Sequence, residues 1–350
     1  MKAITGVDLP AGSPGGSVEL LKDLYLGPAA PVPADAFMLA GPAEHGQVTL
    51  DVGGKTLDGP GFWAYVEELA AAIRDRFRPS DYGVVHLQHL AFGATPALLR
   101  AFPAHPALAL VHGTDLLFAA GHPTQREVLA QAVAAAGAVV VPTSAMADLL
   151  PVRPRRTVHI PWGVPDHLIA APPARARDGD GPLRVLYAGR LTPEKGVEAL
   201  LDAVSGLDGV TLSLAAPEAE HRELAGRADL SETRYLGWLT RPELWRAFAG
   251  HDVLVVPSVR LEAFGLVAVE AQACGLPVLH GRVPGLAEVL GDSSLPVEPG
   301  SGALPDTLAW LAKDRGALAD LRAAGRRNAA RFPLSRTAAG LRDLSAQLQR

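Results

Sequence analysis

Short runs of aliphatic and β-branched residues alternate with helix-period stretches along most of this 350-residue chain. Strands separated by helices pair in parallel and are covered on both faces, so the alternation predicts an α/β architecture. In the first half, strands are expected at Ala3–Val7, Ala36–Ala40, Gly83–Leu87, Leu108–Val111, Ala138–Val141 and Val158–Ile160, with helices near Val18–Leu26, Phe62–Phe77 and Thr124–Ala136. Phe62, Val66, Leu69, Ile73 and Phe77 recur at helical spacing, which marks either a core stripe or a membrane-facing one. In the second half, strands are expected at Arg184–Ala188, Thr211–Leu214, Val253–Val256 and Pro277–His280. Helices are expected at Val197–Ser205, Arg241–Gly250, Leu266–Cys274 and from Leu304 onward. The length exceeds one ordinary core and suits two domains. Between the two runs, Ala170–Pro182 is rich in Pro, Gly and charge without periodicity, which predicts a linker. The expected division is 1–165, 166–332 and a C-terminal helix, 333–350, packing back toward the first domain. Two open α/β sheets joined this way place the default site at the C-terminal strand ends, in a cleft.

The formal net charge is −5, and residues 1–165 carry 11 basic and 14 acidic side chains. No basic excess offers a footprint for nucleic acid or for anionic lipid. Cys274 is the only cysteine, which rules out an intrachain disulfide and a cysteine metal cluster. The N-terminus lacks the apolar core of a signal peptide, and no apolar run reaches the ~18–20 residues of a membrane span. A cytoplasmic location is expected.

The segment with most chemical content is Pro257-Ser-Val-Arg-Leu-Glu262-Ala-Phe264-Gly265-Leu266-Val-Ala-Val-Glu270-Ala271. It leaves a buried strand and enters a helix at Gly265, where the missing side chain lets a ligand approach the free N–H groups of the first turn. Those amides and the helix dipole favour an anion such as a diphosphate. Glu262 in the loop has oxygens suited to sugar hydroxyls, and Glu270, roughly 5–8 Å along the axis, is suited to a ribose. Taken as isolated residues, Glu262 reads as a surface residue and Glu270 as a solvated helix residue; the intervening Phe-Gly and the buried strand before them favour the ligand reading instead.

This E-x7-E segment resembles the signature of family-4 retaining glycosyltransferases, whose GT-B architecture has two facing Rossmann-like domains. The resemblance spans most of the chain and extends to further segments. Tyr187-Ala-Gly-Arg190-Leu-Thr-Pro-Glu-Lys195-Gly196 is similar to the motif whose Arg and Lys bind the donor diphosphate, which assigns that role to Arg190 and Lys195. In Gly12-Ser-Pro-Gly15-Gly16-Ser17, Ser17 suits a helix N-cap, and the resemblance implies that Gly15 and Gly16 reach the donor diphosphate and the acceptor. In Leu110-Val-His112-Gly-Thr-Asp115, at the end of the fourth expected strand, His112 resembles the histidine beside the reacting sugar. Asp115 is either a local cap or an acceptor ligand. Trp162 stands where the family usually has Asn, and Tyr235-Leu-Gly237-Trp238 fits the strand that ends near the nucleotide base.

The resemblance thus implies a retaining transferase that moves a sugar from a nucleotide donor, UDP-sugar being the commonest, and the lack of a basic excess in residues 1–165 points to a hydroxyl of a soluble small molecule as acceptor, as in bacterial natural-product biosynthesis. His112, Glu262, Arg190 and Lys195 would carry the transfer. Gly15, Gly16, Phe264, Gly265, Leu266 and Glu270 would complete the donor site. Neither cofactor nor metal is expected, and oligomeric state is unread. Rival readings are an epimerase or phosphorylase of the same architecture, and a catalytically idle sugar-nucleotide binder. A nicotinamide dehydrogenase ranks behind these, because Pro14 and Ser17 occupy two glycine places of its fingerprint. Gly53-Gly-Lys55-Thr56 lacks the first glycine of a phosphate loop and is expected to be a hairpin turn between Val48–Val52 and Lys55–Leu57. Asp178-Gly-Asp180 falls in the linker. His86 and His89, three apart on an expected strand, should face opposite ways and bind no zinc.

Overall fold

The computed structural model describes residues 2–40, 46–175 and 181–350. The chain divides into two compact units, one running to Trp162 and including Leu334–Arg350, the other Gly163–Pro333. The divisions expected from sequence lie at 165/166 and 332/333. Residues 176–180, which hold Asp178 and Asp180, and with them part of the expected linker, lie outside the described residues.

The first unit holds one parallel sheet: β1 (Lys2–Gly6), β2 (Ala34–Leu39), β3 (Val48–Leu50), β4 (Tyr82–Leu87), β5 (Ala107–Leu110), β6 (Ala138–Val141) and β7 (Thr157–His159). Their spatial order is β3-β2-β1-β4-β5-β6-β7, which reverses between β1 and β4. Loops leaving those two strands part to opposite faces and open a crevice at their carboxyl ends. The sheet is buried on both sides, with Ile4, Leu87, Leu108 and Val140 fully enclosed. Phe62, Val66, Leu69 and Ile73 of the helix Phe62–Arg76 are also fully buried, so that stripe is core.

The last helix, Leu334–Leu348, belongs to this unit. Thr337 Oγ1 donates to the Pro161 carbonyl at 2.8 Å, and Arg342 donates to the Pro31 carbonyl at 2.6 Å. His86 links it to the sheet: Ser345 gives its own proton to the Leu341 carbonyl, so it accepts from His86 Nε2 at 2.7 Å, leaving Nδ1 to accept from Tyr25 Oη at 2.9 Å. Burial pushes the imidazole down to about 4. A depressed histidine contributes stability that is full above its unfolded value near 6.5 and is lost as pH falls through about 4, roughly 3 kcal/mol in all. The thermal midpoint should therefore fall between pH 6.5 and 4, and His86→Asn should flatten that part of the profile in a melting series.

The second unit holds β8 (Leu183–Ala188), β9 (Val210–Ala215), β10 (Thr233–Gly237), β11 (Val253–Val256), β12 (Val278–Gly281) and β13 (Leu295–Val297). All are parallel, in the order β10-β9-β8-β11-β12-β13, with the reversal between β8 and β11. Leu183, Val185, Leu214, Val253, Val255 and Leu279 form the centre of its core.

Several expectations fail locally. The hairpin at 48–57 does not form: β3 pairs in parallel with β2, and Lys55–Leu57 is irregular, with Lys55 turned to the Asp8 carbonyl. His112 consequently follows the fifth strand, and His89 lies beyond the end of β4 with φ +48. The short helices Ala94–Ala101 and Glu218–Ala225 lie outside the expected elements; the first is mostly buried, while the second buries only Leu224. Among the described residues no helix is long and apolar enough to cross a membrane.

Candidate functional site

In the second unit, the loops after β8 and β11 meet at the strand reversal. Lys195 ends the short turn Pro193–Lys195, and Gly196 follows in the left-handed region at φ +68 before the helix Val197–Val204. A Cβ on Gly196 would stand 2.2 Å from the Pro257 carbonyl oxygen, so this close approach needs glycine. The Val259 N–H donates to the Glu194 carbonyl at 3.0 Å and joins the two loops. Across that seam the Lys195 ammonium donates to Glu262 Oε1, which also accepts from Ser258 Oγ at 2.9 Å. Lys195 and Ser258 both donate to the one oxygen, which leaves Oε2 with lone pairs to offer. The pair is partly open, with side chains 30% and 15% exposed.

Gly265 caps the helix Leu266–Ala273 at φ +78, and a Cβ there would meet Leu286 at 2.3 Å. The first-turn amides have no intrahelical acceptor, which makes this N-terminus suited to an anion. Phe264, expected among the donor contacts, instead turns its ring inward, edge-on to Phe332 at 5.2 Å. Glu270 is 5% exposed, which excludes a solvated helix face. Both its oxygens are engaged: Oε1 by Arg241 and Oε2 by Trp245 Nε1 at 3.0 Å. Arg190 is not joined to the Lys195–Glu262 cluster. Its Nε pairs with Glu220 Oε1 at 2.7 Å, while Glu220 Oε2 takes the Leu191 N–H at 2.7 Å.

In the first unit, the polar row lies along the carboxyl edge of the sheet. Gly15, at φ +147, precedes the helix Gly16–Tyr25, so Ser17 is inside the helix and is not its cap. Ser17 Oγ instead bonds His89 Nε2 at 2.8 Å. His89 meets His112 edge to face at 5.3 Å, and Trp162 stacks on His112 at 5.7 Å. His112 Nε2 bonds Gln88 Oε1 at 2.9 Å. Asp115 accepts the His112 N–H at 3.1 Å, which makes it the local cap of the helix Gly113–Gly121. Burial lowers His112 well below the usual histidine range, helped by His89, and lowers His89 to about 4, helped by Lys55. Burial also raises the Asp115 carboxyl to about 8. At neutral pH both imidazoles are neutral, so His112 can donate or accept a hydrogen bond but brings no charge.

Ser258, Glu220, Arg241, Trp245, Gln88 and His89 were missed as site partners. Gln88 and His89 directly follow β4, one of the two strands that flank the reversal, so topology could have flagged them. Arg241 and Trp245 reach Glu270 from a neighbouring helix, Arg241–Gly250, and no local spacing reveals that. Among the described residues no group of three or more His, Cys, Asp or Glu is placed to hold a metal ion.

The family described as Glycosyl transferases group 1 matches residues 174–329. D-inositol 3-phosphate glycosyltransferase 1 of Catenulispora acidiphila is 32% identical over 291 residues, 73% of this chain and 69% of that protein. Other curated relatives match over shorter stretches, spanning 30%, 44% and 39% of three of them. Among solved structures, sucrose-phosphate synthase from Thermosynechococcus elongatus superimposes with a TM-score of 0.84 at 21% identity, covering 99% of both chains. Anabaena HepE, crystallised with UDP and glucose, gives 0.77 at 18% identity over 99% of this chain and 100% of its own. The two Rossmann-like units are therefore those of the GT-B fold.

Proposed function

This chain belongs to the group 1 glycosyl transferases, and we propose that it is a retaining, metal-independent family-4 hexosyltransferase acting from a UDP-sugar on a hydroxyl of a soluble small molecule. The observation that carries this reading is the Lys195–Glu262–Ser258 cluster beside the glycine-capped helix at Gly265. A solved relative of the same fold, HepE, has been crystallised with UDP-glucose, which supports the choice of donor.

Lys195 and Arg190 neutralise the diphosphate, with the Gly265 and Leu266 amides as further donors. Binding then requires Lys195 to share its ammonium between phosphate and Glu262, and Arg190 to share its guanidinium with Glu220. Glu262 Oε2 orients the sugar through its hydroxyls. Glu270, engaged by Arg241 and Trp245, uses its remaining lone pairs on the ribose. Gly15 and Gly16 serve the diphosphate and the acceptor, and neutral His112 positions the sugar without repelling the positive charge that builds on it. As the anomeric C–O bond to the diphosphate breaks, the acceptor oxygen bonds the same face of that carbon. The acceptor proton passes to the departing phosphate oxygen, so no strong protein base is needed. We place the reaction in the cytoplasm, in bacterial natural-product assembly.

The test is transfer from a nucleotide-sugar panel, read by mass spectrometry with and without EDTA. A glycosylated product from a UDP-sugar, at a rate unchanged by EDTA, is expected. A free epimer or a sugar phosphate as the sole product points to the epimerase or phosphorylase alternative. Binding without product over a broad acceptor panel points to an idle sensor.

A further inference from the structure

Asp8, just past the end of β1 at the strand reversal, is 1% exposed. Its Oδ2 accepts the Gly93 N–H at 3.2 Å and the Tyr65 hydroxyl at 3.4 Å, and lies 3.7 Å from Lys55 Nζ. A Cβ on Gly93 would press to 3.2 Å from that oxygen and 2.5 Å from the Tyr65 ring, so glycine lets the backbone reach the carboxylate. Oδ1, by contrast, is buried with no hydrogen-bond partner. A buried carboxylate oxygen left unmet is destabilising, and such a group is expected where a ligand supplies the missing donor.

Lys55 is fixed at the same place. Its ammonium donates to the Asp8 carbonyl oxygen at 2.5 Å and sits 6.0 Å over the Phe92 ring. The irregular segment 51–61 that carries it is tied down at three points. Gln125 Nε2 donates to the Leu57 carbonyl at 2.5 Å, the Gly53 N–H donates to Glu68 at 3.1 Å, and His122 lies 3.5 Å from Asp58. The lysine is thus a placed donor, with a third of its side-chain hydrogen-bonding capacity or more to spare.

The charge around this pair is one-sided. The segments that follow β1, β3, β4, β5 and β6 are 7–15, 51–61, 88–93, 111–112 and 142–143, and the strands are parallel, so all five gather at one edge. Lys55 is the only Lys or Arg in them, against Asp8, Asp51 and Asp58. The neighbouring His89 and His112 are neutral at physiological pH and add no cation. Lys55 is already paired with Asp8, so these five described segments hold no unpaired Lys or Arg to balance a phosphate. Hydroxyl or amino hydrogens, in contrast, find an unpartnered acceptor in Asp8 Oδ1, and hydroxyl oxygens find a donor in Lys55.

We propose that Asp8 and Lys55 recognise the acceptor of the transfer, and that they select a polyhydroxylated molecule, neutral or aminated, that carries no phosphate or carboxylate. The proposal rests on the glycosyltransferase reading and deepens it to a substrate class.

Matched sets of monosaccharide and cyclitol acceptors test it, each offered as the parent alcohol, the amino-deoxy analogue and the phosphate monoester, with UDP-glucose as donor. Parent or amino forms are expected to exceed the phosphate in kcat/KM by at least about tenfold. Asp8→Asn and Lys55→Met should each raise the acceptor KM by about tenfold or more while the UDP-glucose KM stays within about twofold. Preferred transfer to phosphate esters, or an unchanged acceptor KM in both variants, overturns the proposal. A thermal-shift titration with UDP-glucose separates the two levels. Donor binding without transfer to any parent or amino form contradicts the acceptor class alone, whereas no donor binding overturns the donor reading and this proposal with it.

Discussion

Glu262→Gln should lower kcat by about 10²–10³-fold while the protein remains folded. The amide keeps the size of the carboxylate and can still accept from Ser258, so packing survives. What is lost is the partner of the Lys195 ammonium and, in the proposed reaction, a negative charge facing the sugar as it becomes positive. Lys195→Ala removes the other half of the pair and should act more on donor affinity, because its phosphate contact is already made in the ground state. A side chain 30% exposed leaves no large cavity when truncated, so melting should change little. Steady-state kinetics on both variants, with circular dichroism as a control for folding, checks the pair. Near-normal turnover in both would remove this cluster from the site.

Gly285→Ala should be the most damaging single-methyl change in the second unit. A Cβ at this position would lie 1.7 Å from the Glu262 carbonyl oxygen and 2.8 Å from its carbonyl carbon. Backbone meets backbone there, so no rotamer change absorbs the clash, and the loop 257–263 must move. Overpacking of this kind costs about 3 kcal/mol or more. Displacement of Glu262 by about 1 Å should lower turnover a further ~10²-fold in whatever fraction still folds. Gly250→Ala is the control: nothing lies within 4 Å of its Cβ, so stability should stay within about 0.5 kcal/mol. Equal melting temperatures for the two variants would contradict the packing account of this loop.

The strands of both sheets were largely legible because buried parallel strands are short and uniformly apolar, as at Val253–Val256 and Ala138–Val141. Strand order was not legible, since it depends on which helices cover which face. The hairpin expected at 48–57 shows the limit: alternation and a Gly-Gly pair suit a turn, but a tertiary contact from Lys55 to Asp8 decides the segment instead. Within the candidate site, groupings of residues adjacent in sequence were legible and groupings adjacent only in space were not. Glu262 and Gly265 announce themselves by lying on a strand–loop–helix turn. Arg241 and Trp245 on Glu270, or Gln88 and His89 around His112, depend on packing between elements. The Phe264 ring is placed in the core, edge-on to Phe332, and its position between Glu262 and Gly265 in sequence does not reveal that packing.

Calorimetric titration of UDP-glucose into the wild-type chain and Lys195→Ala, both in a metal chelator, tests the donor site most directly. Binding by the wild type in chelator, weakened at least about tenfold (roughly 1.4 kcal/mol) by Lys195→Ala, is the predicted result. Binding that vanishes with chelator, or that is equal in the two proteins, would contradict a metal-free diphosphate site built on Lys195.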